Sequence, residues 1–156
     1  MSQPASQRST GAESFFDDAV EQLRAAGLRV TPQRRAILEL FDHRHTHMTP
    51  QGIFEALQQQ VSSLSLATVY NSLEVFEEIG VLNRVCAKDG QAYFDPNTKP
   101  HQHAVCQRCG EIFDIQIPSS KLDGLVQSLR PAAVVDGDFE IDSVDIWLKG
   151  LCSNCQ

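Results

Sequence analysis

The sequence predicts an α+β protein of two small units, because helical patterning gives way to strand patterning near residue 100. Residues 14–94 carry apolar side chains at helical spacing and end in a hairpin signal. Residues 102–156 alternate mainly as strands and hold two Cys-x-x-Cys pairs. Between them, residues 95–101 contain two prolines and several turn-forming residues, so we expect a hinge there. Residues 1–13 are polar and are expected to form a disordered tail.

The composition is that of a folded, soluble protein. The chain has 156 residues, of which 42% are hydrophobic and 21% charged, and this excludes a disordered or fibrous chain. No run approaches the ~18 apolar residues of a membrane span, and the first residues lack the apolar core of a secretory signal. We therefore expect a cytoplasmic protein. The net charge of −7 argues mildly against nucleic-acid binding unless basic residues are concentrated locally.

The first two helices are predicted from apolar spacing and from signals at their ends. Phe16, Val20 and Leu23 lie at helical spacing, and Gly27 is expected to end that helix. Thr31-Pro32 then provides an N-cap followed by proline at the first helical position. The apolar stripe of this second helix is Ile37, Leu38 and Phe41.

Two further helices and a hairpin complete the first unit. Thr49-Pro50 repeats the same start signal, and Ser65 is the candidate cap of a fourth helix that ends near Gly80. Their apolar positions are Ile53, Phe54 and Leu57 in the third helix and Leu66, Val69, Leu73 and Phe76 in the fourth. Residues 81–87 and 91–94 are expected to be short strands joined at Asp89-Gly90. This order favours a winged helix-turn-helix, although many small α+β domains share it.

The second unit is predicted to contain three strands and one helix. Residues 103–106 and 111–117 are strand-like and are joined by the first cysteine pair, and residues 118–129 favour a helix. Val144, Ile146 and Leu148 alternate as a strand. Phe139 and Ile141 alternate in the opposite phase, so we expect a bulge or break near residues 142–143.

The paired cysteines predict a structural zinc site. Cys106 and Cys109 form one Cys-x-x-Cys unit, and Cys152 and Cys155 form the other. Two such units supply four thiolates, the ligand set of a closed tetrahedral zinc site. The 42 residues between Cys109 and Cys152 mean that zinc would fasten the end of the chain to the first pair. A disulfide or a redox dithiol is the alternative, but neither pair lies between a strand and a helix as a thioredoxin-like motif would.

A second metal site is suggested by the histidines. His101 and His103 are two residues apart in a predicted strand and therefore face the same way, and Asp95 and Asp114 lie near them in sequence. Mixed nitrogen and oxygen donors suit iron(II), manganese(II) or zinc. The alternative is a pair of surface histidines near a turn. The other cluster, His43, His45 and His47, lies at a helix end, where the helix dipole alone favours histidine.

A polar surface around the fourth helix suggests DNA binding. Four arginines lie between Glu21 and Glu39 with no acid among them, and residues 56–73 carry no charge. Hydrogen-bonding side chains beside arginines are what base recognition and phosphate anchoring require. An ordinary solvated face is the alternative. The candidate DNA-contacting residues are Arg29, Arg34, Arg35, Thr68, Tyr70, Asn71 and Arg84.

Three motifs together resemble the ferric uptake regulator family. They are Leu28-Arg-Val-Thr-Pro-Gln-Arg-Arg35, Ala67-Thr-Val-Tyr-Asn71 and His101-Gln-His-Ala-Val-Cys-Gln-Arg-Cys-Gly110. The resemblance runs from about residue 15 to the last cysteine pair. It implies an N-terminal winged-helix domain, a hinge and a C-terminal α/β dimerisation domain. It further implies a homodimeric, metal-dependent repressor that binds an inverted-repeat operator in double-stranded DNA.

The resemblance also assigns roles to individual residues. It makes the helix that carries Thr68, Tyr70 and Asn71 the recognition helix, and it gives His43 and His45 no ligand role. The structural zinc ligands that it implies are Cys106, Cys109, Cys152 and Cys155. The regulatory metal ligands that it implies, for iron(II) or manganese(II), are His47, Asp95, His101, His103 and Asp114.

Within this family the chain looks most like the peroxide-sensing branch. Asp95 and Asp114 stand where iron-uptake regulators usually carry at least one glutamate, and Asn71 stands where they often carry arginine. Oxidation of His47 or His101 would then destroy the regulatory site and release DNA. An iron- or manganese-responsive repressor without peroxide sensing is the main alternative. A metal-dependent hydrolase and a zinc-stabilised interaction module are remote alternatives.

Overall fold

Helices dominate the first part of the chain and strands the second. The structure, a computed structural model, describes residues 14–44, 47–86, 90–129 and 145–156. The predicted tail, His45, Lys88, Asp89 and the predicted bulge near residues 142–143 lie outside the described residues. The chain divides into two compact units, the first ending at Thr98 and the second beginning at Lys99. None of the described helices is long and apolar enough to cross a membrane.

The described residues of the first unit form four helices and a hairpin. The helices are α1 (Phe15–Ala25), α2 (Pro32–Arg44), α3 (Pro50–Leu57) and α4 (Leu66–Glu78), followed by strands β1 (Asn83–Cys86) and β2 (Ala92–Asp95). The predicted start signals are confirmed, because the side chain of Thr49 accepts a hydrogen bond from the amide of Gly52 and that of Ser65 from Thr68. Gly27 and Gly80 have φ angles of 71° and 77°, which let the chain turn after α1 and α4.

The predicted apolar stripes meet in one core, except that Leu66 at the start of α4 is half-buried and lies outside this core. Fully buried side chains come from all four helices and from β2: Leu23, Ile37, Leu38, Phe41, Ile53, Val69, Leu73, Phe76 and Phe94. Helix α4 packs against both α2 and α3. Burying this apolar surface is the main force that orders the unit. The α4 residues opposite the stripe are therefore left towards solvent, and Tyr70 is 42% exposed.

The first predicted strand is two residues too long at its start. Residues 81–87 were expected to be extended, but β1 begins at Asn83. The amides of Val81 and Leu82 instead donate to the carbonyl of Phe76 and close the end of α4. Both side chains are buried in the core, which explains their apolar character without a strand.

In its described residues, 99–129 and 145–156, the second unit has a three-stranded sheet and one helix. Its elements are β3 (Gln102–Cys106), β4 (Ile112–Ile115), α5 (Ser119–Leu129) and β5 (Trp147–Gly150). The strand order is β4-β3-β5, with β3 antiparallel to β4 and parallel to β5. Strand β4 is shorter than the predicted 111–117, because Ile115 pairs with Gln102, where β3 begins. Pro100, two residues earlier, has no amide hydrogen to extend the ladder.

Candidate functional site

The four paired cysteines come together in the second unit. Their sulfur atoms all lie within 4.8 Å of one another. Cys106 ends β3, and β5 runs parallel to β3 with Gly150 opposite Cys106, so both strands deliver their following turns to the same end of the sheet. In each turn a hydrogen bond closes the backbone: the amide of Gly110 donates to Cys106 and that of Cys155 to Cys152. Four sulfur donors at this spacing fit a tetrahedral zinc ion.

The thiols of this cluster differ in acidity. Backbone amides of Cys109 and Cys152 lower the pKa of the Cys106 thiol to about 6; the Cys152 amide lies 3.4 Å from its sulfur. The neighbouring Cys152 side chain and burial raise the pKa of Cys155 to about 12. The guanidinium of Arg108 donates to the carbonyl of Cys155 and so ties the two turns together. Cysteine binds zinc as a thiolate, so zinc binding would release the protons of the thiols that are still protonated.

The first unit brings His47 and Asp95 together. Met48 and Phe94 form an isolated antiparallel bridge, with each amide donating to the other's carbonyl at 3.0 and 2.8 Å. In antiparallel pairing the residues on either side of a bridge are also opposite one another. His47 Nε2 accordingly lies 3.4 Å from Asp95 Oδ2, and the two side chains are 4% and 2% exposed. The other Asp95 oxygen accepts from the amide of Asn97 at 2.8 Å.

The second unit brings together the other three predicted regulatory ligands. His103 pairs directly with Asp114 across β3 and β4, and His101 Nε2 lies 3.3 Å from Asp114 Oδ1. The imidazole rings of His101 and His103 meet edge to face with centroids 4.5 Å apart. The carbonyl of Lys99 lies 2.7 Å from His101 Nδ1. Because a carbonyl can only accept, Nδ1 carries a proton, and Nε2 is the ring nitrogen left to bind a metal.

One residue near these ligands was not anticipated from the sequence. Trp147, the first residue of β5, stacks on the ring of His103 with centroids 5.1 Å apart and planes 25° from parallel. The signal was present, since this is the one tryptophan in the chain. Its position beside His103 depends on the order and register of the strands, which a local pattern does not give.

Four of the seven candidate DNA-contacting residues lie around one concavity in the first unit. Arg29, Arg34, Thr68 and Asn71 line a surface depression of about 560 Å³ beside α4. The guanidinium of Arg34 also donates to the carbonyl of Arg29 at 3.0 Å. Hydroxyl and amide groups therefore lie next to two positive charges. Tyr70 is exposed on the same helix but does not line the depression.

The remaining two arginines have acidic neighbours. Arg35 contacts Glu39 at 2.8 Å and lies over the ring of Phe16 at 4.8 Å. Arg84 lies 3.9 Å from Glu77 and 5.7 Å from the ring of Phe94. These partners reduce the positive potential that each arginine presents. Neither arginine lines the depression.

Comparisons with known proteins all indicate the same family. The model of the ferric uptake regulator family matches residues 25–128. The peroxide-responsive repressor PerR of Staphylococcus aureus (strain Mu50 / ATCC 700699) is 36% identical over 145 residues, which cover 92% of this chain and 93% of that protein.

Solved structures of this family share the fold. The ferric uptake regulator of Helicobacter pylori aligns with a TM-score of 0.70 at 20% identity, covering 90% of this chain and 93% of that one. The ferric uptake regulator of Pseudomonas aeruginosa with manganese aligns with a TM-score of 0.60 at 28% identity, covering 86% and 98%.

Removing one cysteine of the tetrad should abolish tight zinc binding. We expect wild-type protein to retain zinc through gel filtration. We expect Cys155→Ser to lose zinc and to unfold the second unit, because binding of a structural zinc contributes ~10–16 kcal/mol. Cys86→Ser is the matched control, since Cys86 is exposed on β1 and outside the tetrad. Zinc content and amide hydrogen exchange of β3 and β5 are the measurements. Full zinc retention by Cys155→Ser would contradict the assignment.

Proposed function

The chain belongs to the ferric uptake regulator family of metal-responsive transcription regulators, which are not enzymes, and we propose that it is a peroxide-sensing repressor. It would bind DNA as a homodimer when a regulatory site holds iron(II) or manganese(II). The donor set carries this proposal: three imidazoles and two carboxylates, with no glutamate or cysteine among them. The 36% identity to a peroxide-responsive repressor over 92% of the chain supports the same branch.

We propose that His47 and Asp95 join His101, His103 and Asp114 around one regulatory ion. The preassembled His47–Asp95 pair in the first unit and the His101–Asp114 pair in the second unit support this ligand set. Nitrogen and carboxylate donors of this kind suit iron(II) and manganese(II). We further propose a winged-helix domain at 14–94, a hinge at 95–101 and a dimerisation domain at 102–156. An ion held from both sides of the hinge would restrict the hinge and favour the DNA-binding form.

Peroxide sensing would reside in the imidazoles. Bound iron(II) would supply the electron that starts the reduction of hydrogen peroxide, chemistry that manganese(II) in the same site would not supply. Peroxide would be the two-electron oxidant: one of its oxygen atoms would be inserted at a ring C–H bond of His47 or His101, and the other would leave as water. An oxidised imidazole is a poorer donor. With a donor lost from one side of the hinge, the DNA-binding form would no longer be favoured.

The depression beside α4 supports a nucleic-acid surface. Asn71 and Thr68 provide the amide and hydroxyl groups that contact base edges, and Arg29 and Arg34 provide phosphate contacts beside them. Tyr70 adds an exposed aromatic ring on the same helix. Arg35 and Arg84 would contribute less, because binding phosphate would separate them from Glu39 and Glu77. A repressor of this kind would act in the cytoplasm.

The second unit has an apolar sheet face that supports homodimerisation. Phe113 and Leu148 both pair with Ala104, so the three side chains form a row across one face of the sheet. Phe113 is 39% exposed, Leu148 45% and Leu151 43%. Exposed apolar side chains that are grouped on one face, rather than scattered singly, are typical of a protein interaction surface. A second copy covering it would pair two recognition helices about a two-fold axis and require an inverted-repeat operator.

The regulatory site is tested by His47→Ala. We expect this variant to remain dimeric and zinc-loaded but to lose manganese-dependent DNA binding, because the first unit would then contribute only Asp95. The probe is a duplex selected from a random pool by manganese-loaded wild-type protein, and binding is measured by fluorescence anisotropy with and without manganese(II). His43→Ala is the matched control, since the family resemblance gives that histidine no ligand role. Retained manganese-dependent binding by His47→Ala would contradict the proposed site.

Peroxide sensing is tested by peptide mass spectrometry. Protein loaded anaerobically with iron(II) and given a slight excess of peroxide should gain one oxygen on the peptide with His47 or on that with His101 and His103. The manganese-loaded protein is the control and should gain none. If neither peptide gains oxygen while both metals support DNA binding, the protein is instead an iron- or manganese-responsive repressor. The likeness to the Pseudomonas aeruginosa regulator with manganese makes this the second candidate function.

Dimerisation is tested at the apolar row. We expect Leu148→Glu to give monomers in analytical ultracentrifugation, because a buried carboxylate without a partner opposes association. Lys149→Glu introduces the same side chain at the next position of β5, on the opposite face, and should remain dimeric. If both variants dimerise like wild type, this face is not the interface.

A further inference from the structure

The rings of His103 and Trp147 stack on each other beside the proposed regulatory ligands. Strands β3 and β5 are parallel, and His103 and Trp147 are paired residues, so their side chains leave the same face of the sheet. The two rings are stacked with centroids 5.1 Å apart. The centroid of the His101 ring lies 4.5 Å from that of His103. The His103 ring therefore contacts both Trp147 and His101, and Asp114 pairs with His103 from the neighbouring strand β4.

The start of β5 is held firmly against β3. The amide of Ile146 donates to the side-chain oxygen of Gln102 at 2.7 Å, and Gln102 is only 8% exposed. The amide of His103 donates to the carbonyl of Ile146 at 3.4 Å. Trp147 is thus attached on a fixed backbone directly beside His103. Its indole can therefore restrict rotation of the His103 ring.

A histidine that binds metal must keep its ring in one orientation. The ring torsion of histidine is broad, so a protein usually restricts it with a further contact. For His101 that contact is the carbonyl of Lys99 at Nδ1. For His103 the indole covers one ring face. Coordination of a cation makes an imidazole electron-poor, and an electron-rich indole attracts such a ring more strongly.

We propose that Trp147 is a positioning residue for the regulatory metal, because its indole holds the His103 imidazole in its ligating orientation and stabilises it further when metal is bound. The inference rests on the proposed function, in which His103 is a ligand. The established family assignment does not depend on Trp147.

The test compares two substitutions at Trp147 in the full-length, zinc-loaded protein. We expect Trp147→Leu, which removes the aromatic face, to raise the manganese(II) dissociation constant about two- to tenfold, the range that corresponds to one aromatic stack. Trp147→Phe keeps a stacked ring and should stay near the wild-type value. Free manganese is measured by electron paramagnetic resonance, and the absorption spectrum of the cobalt(II) form reports whether the ligand geometry has changed. Zinc content should be equal in all forms.

His103→Ala separates failure of this inference from failure of the proposed site. If His103→Ala binds manganese like wild type, the proposed ligand set is wrong. If His103→Ala loses manganese while Trp147→Leu binds it like wild type, the ligand set stands and the positioning role is wrong. If Trp147→Leu and Trp147→Phe weaken manganese binding equally, the role is also wrong, because keeping an aromatic ring would then make no difference.

A measurement on the unsubstituted protein keeps the inference testable if Trp147→Leu does not fold. Trp147 is the one tryptophan in the chain, so the whole indole emission reports on this stack. Saturating manganese(II) should change that emission in wild-type protein. The change should disappear in His103→Ala. Unchanged emission at saturation would overturn the coupling between the stack and the metal.

Discussion

The position of β3 between β4 and β5 is the constraint on which the second unit depends. Because side chains alternate along a strand, the paired residues of the three strands are sorted onto two faces. One face carries Asp114, His103 and Trp147 in a row, and the other carries Phe113 and Leu148 on either side of Ala104. A single register therefore separates the proposed metal donors from the proposed dimer surface.

A smaller constraint acts in the same way in the first unit. The bridge between Met48 and Phe94 joins the segment before α3 to the hairpin. Phe94 is anchored in the apolar core, so the position of Asp95 next to it is set by packing. The two backbone hydrogen bonds then bring His47 opposite that carboxylate. The polar pair is thus held in place by the apolar residue next to each member, Met48 in the segment before α3 and Phe94 in β2.

Local sequence signals predicted the helices and strands well, but apart from the hairpin they did not predict which strands pair or which residues meet across them. The caps at Thr49 and Ser65 and the cysteine spacing depend on nearby residues, so the sequence was sufficient for them. Val81 and Leu82 were assigned to a strand because apolar residues before a turn suit either a strand or a helix end. Strand order decides which residue meets His103, and no local pattern contains that order. The contact of Arg84 with Glu77 likewise joins two elements, whereas Glu39 follows Arg35 by one helical turn and is a local neighbour.

The four-cysteine cluster matters beyond its own turns, because the turns that carry it lie at the ends of β3 and β5 and help to hold the register of β5. A shift of one residue would put Leu148 beside His103 and turn Trp147 towards the apolar row. The proposed metal face and the proposed dimer face would then both be disrupted. Two features oppose this shift. The Gln102 side chain holds the amide of Ile146 at the start of β5, and the cysteine turns hold its end, where Gly150 lies opposite Cys106. A structural ion fastening Cys152 and Cys155 to Cys106 and Cys109 would thereby fix both the face of the proposed regulatory site and the face of the proposed dimer.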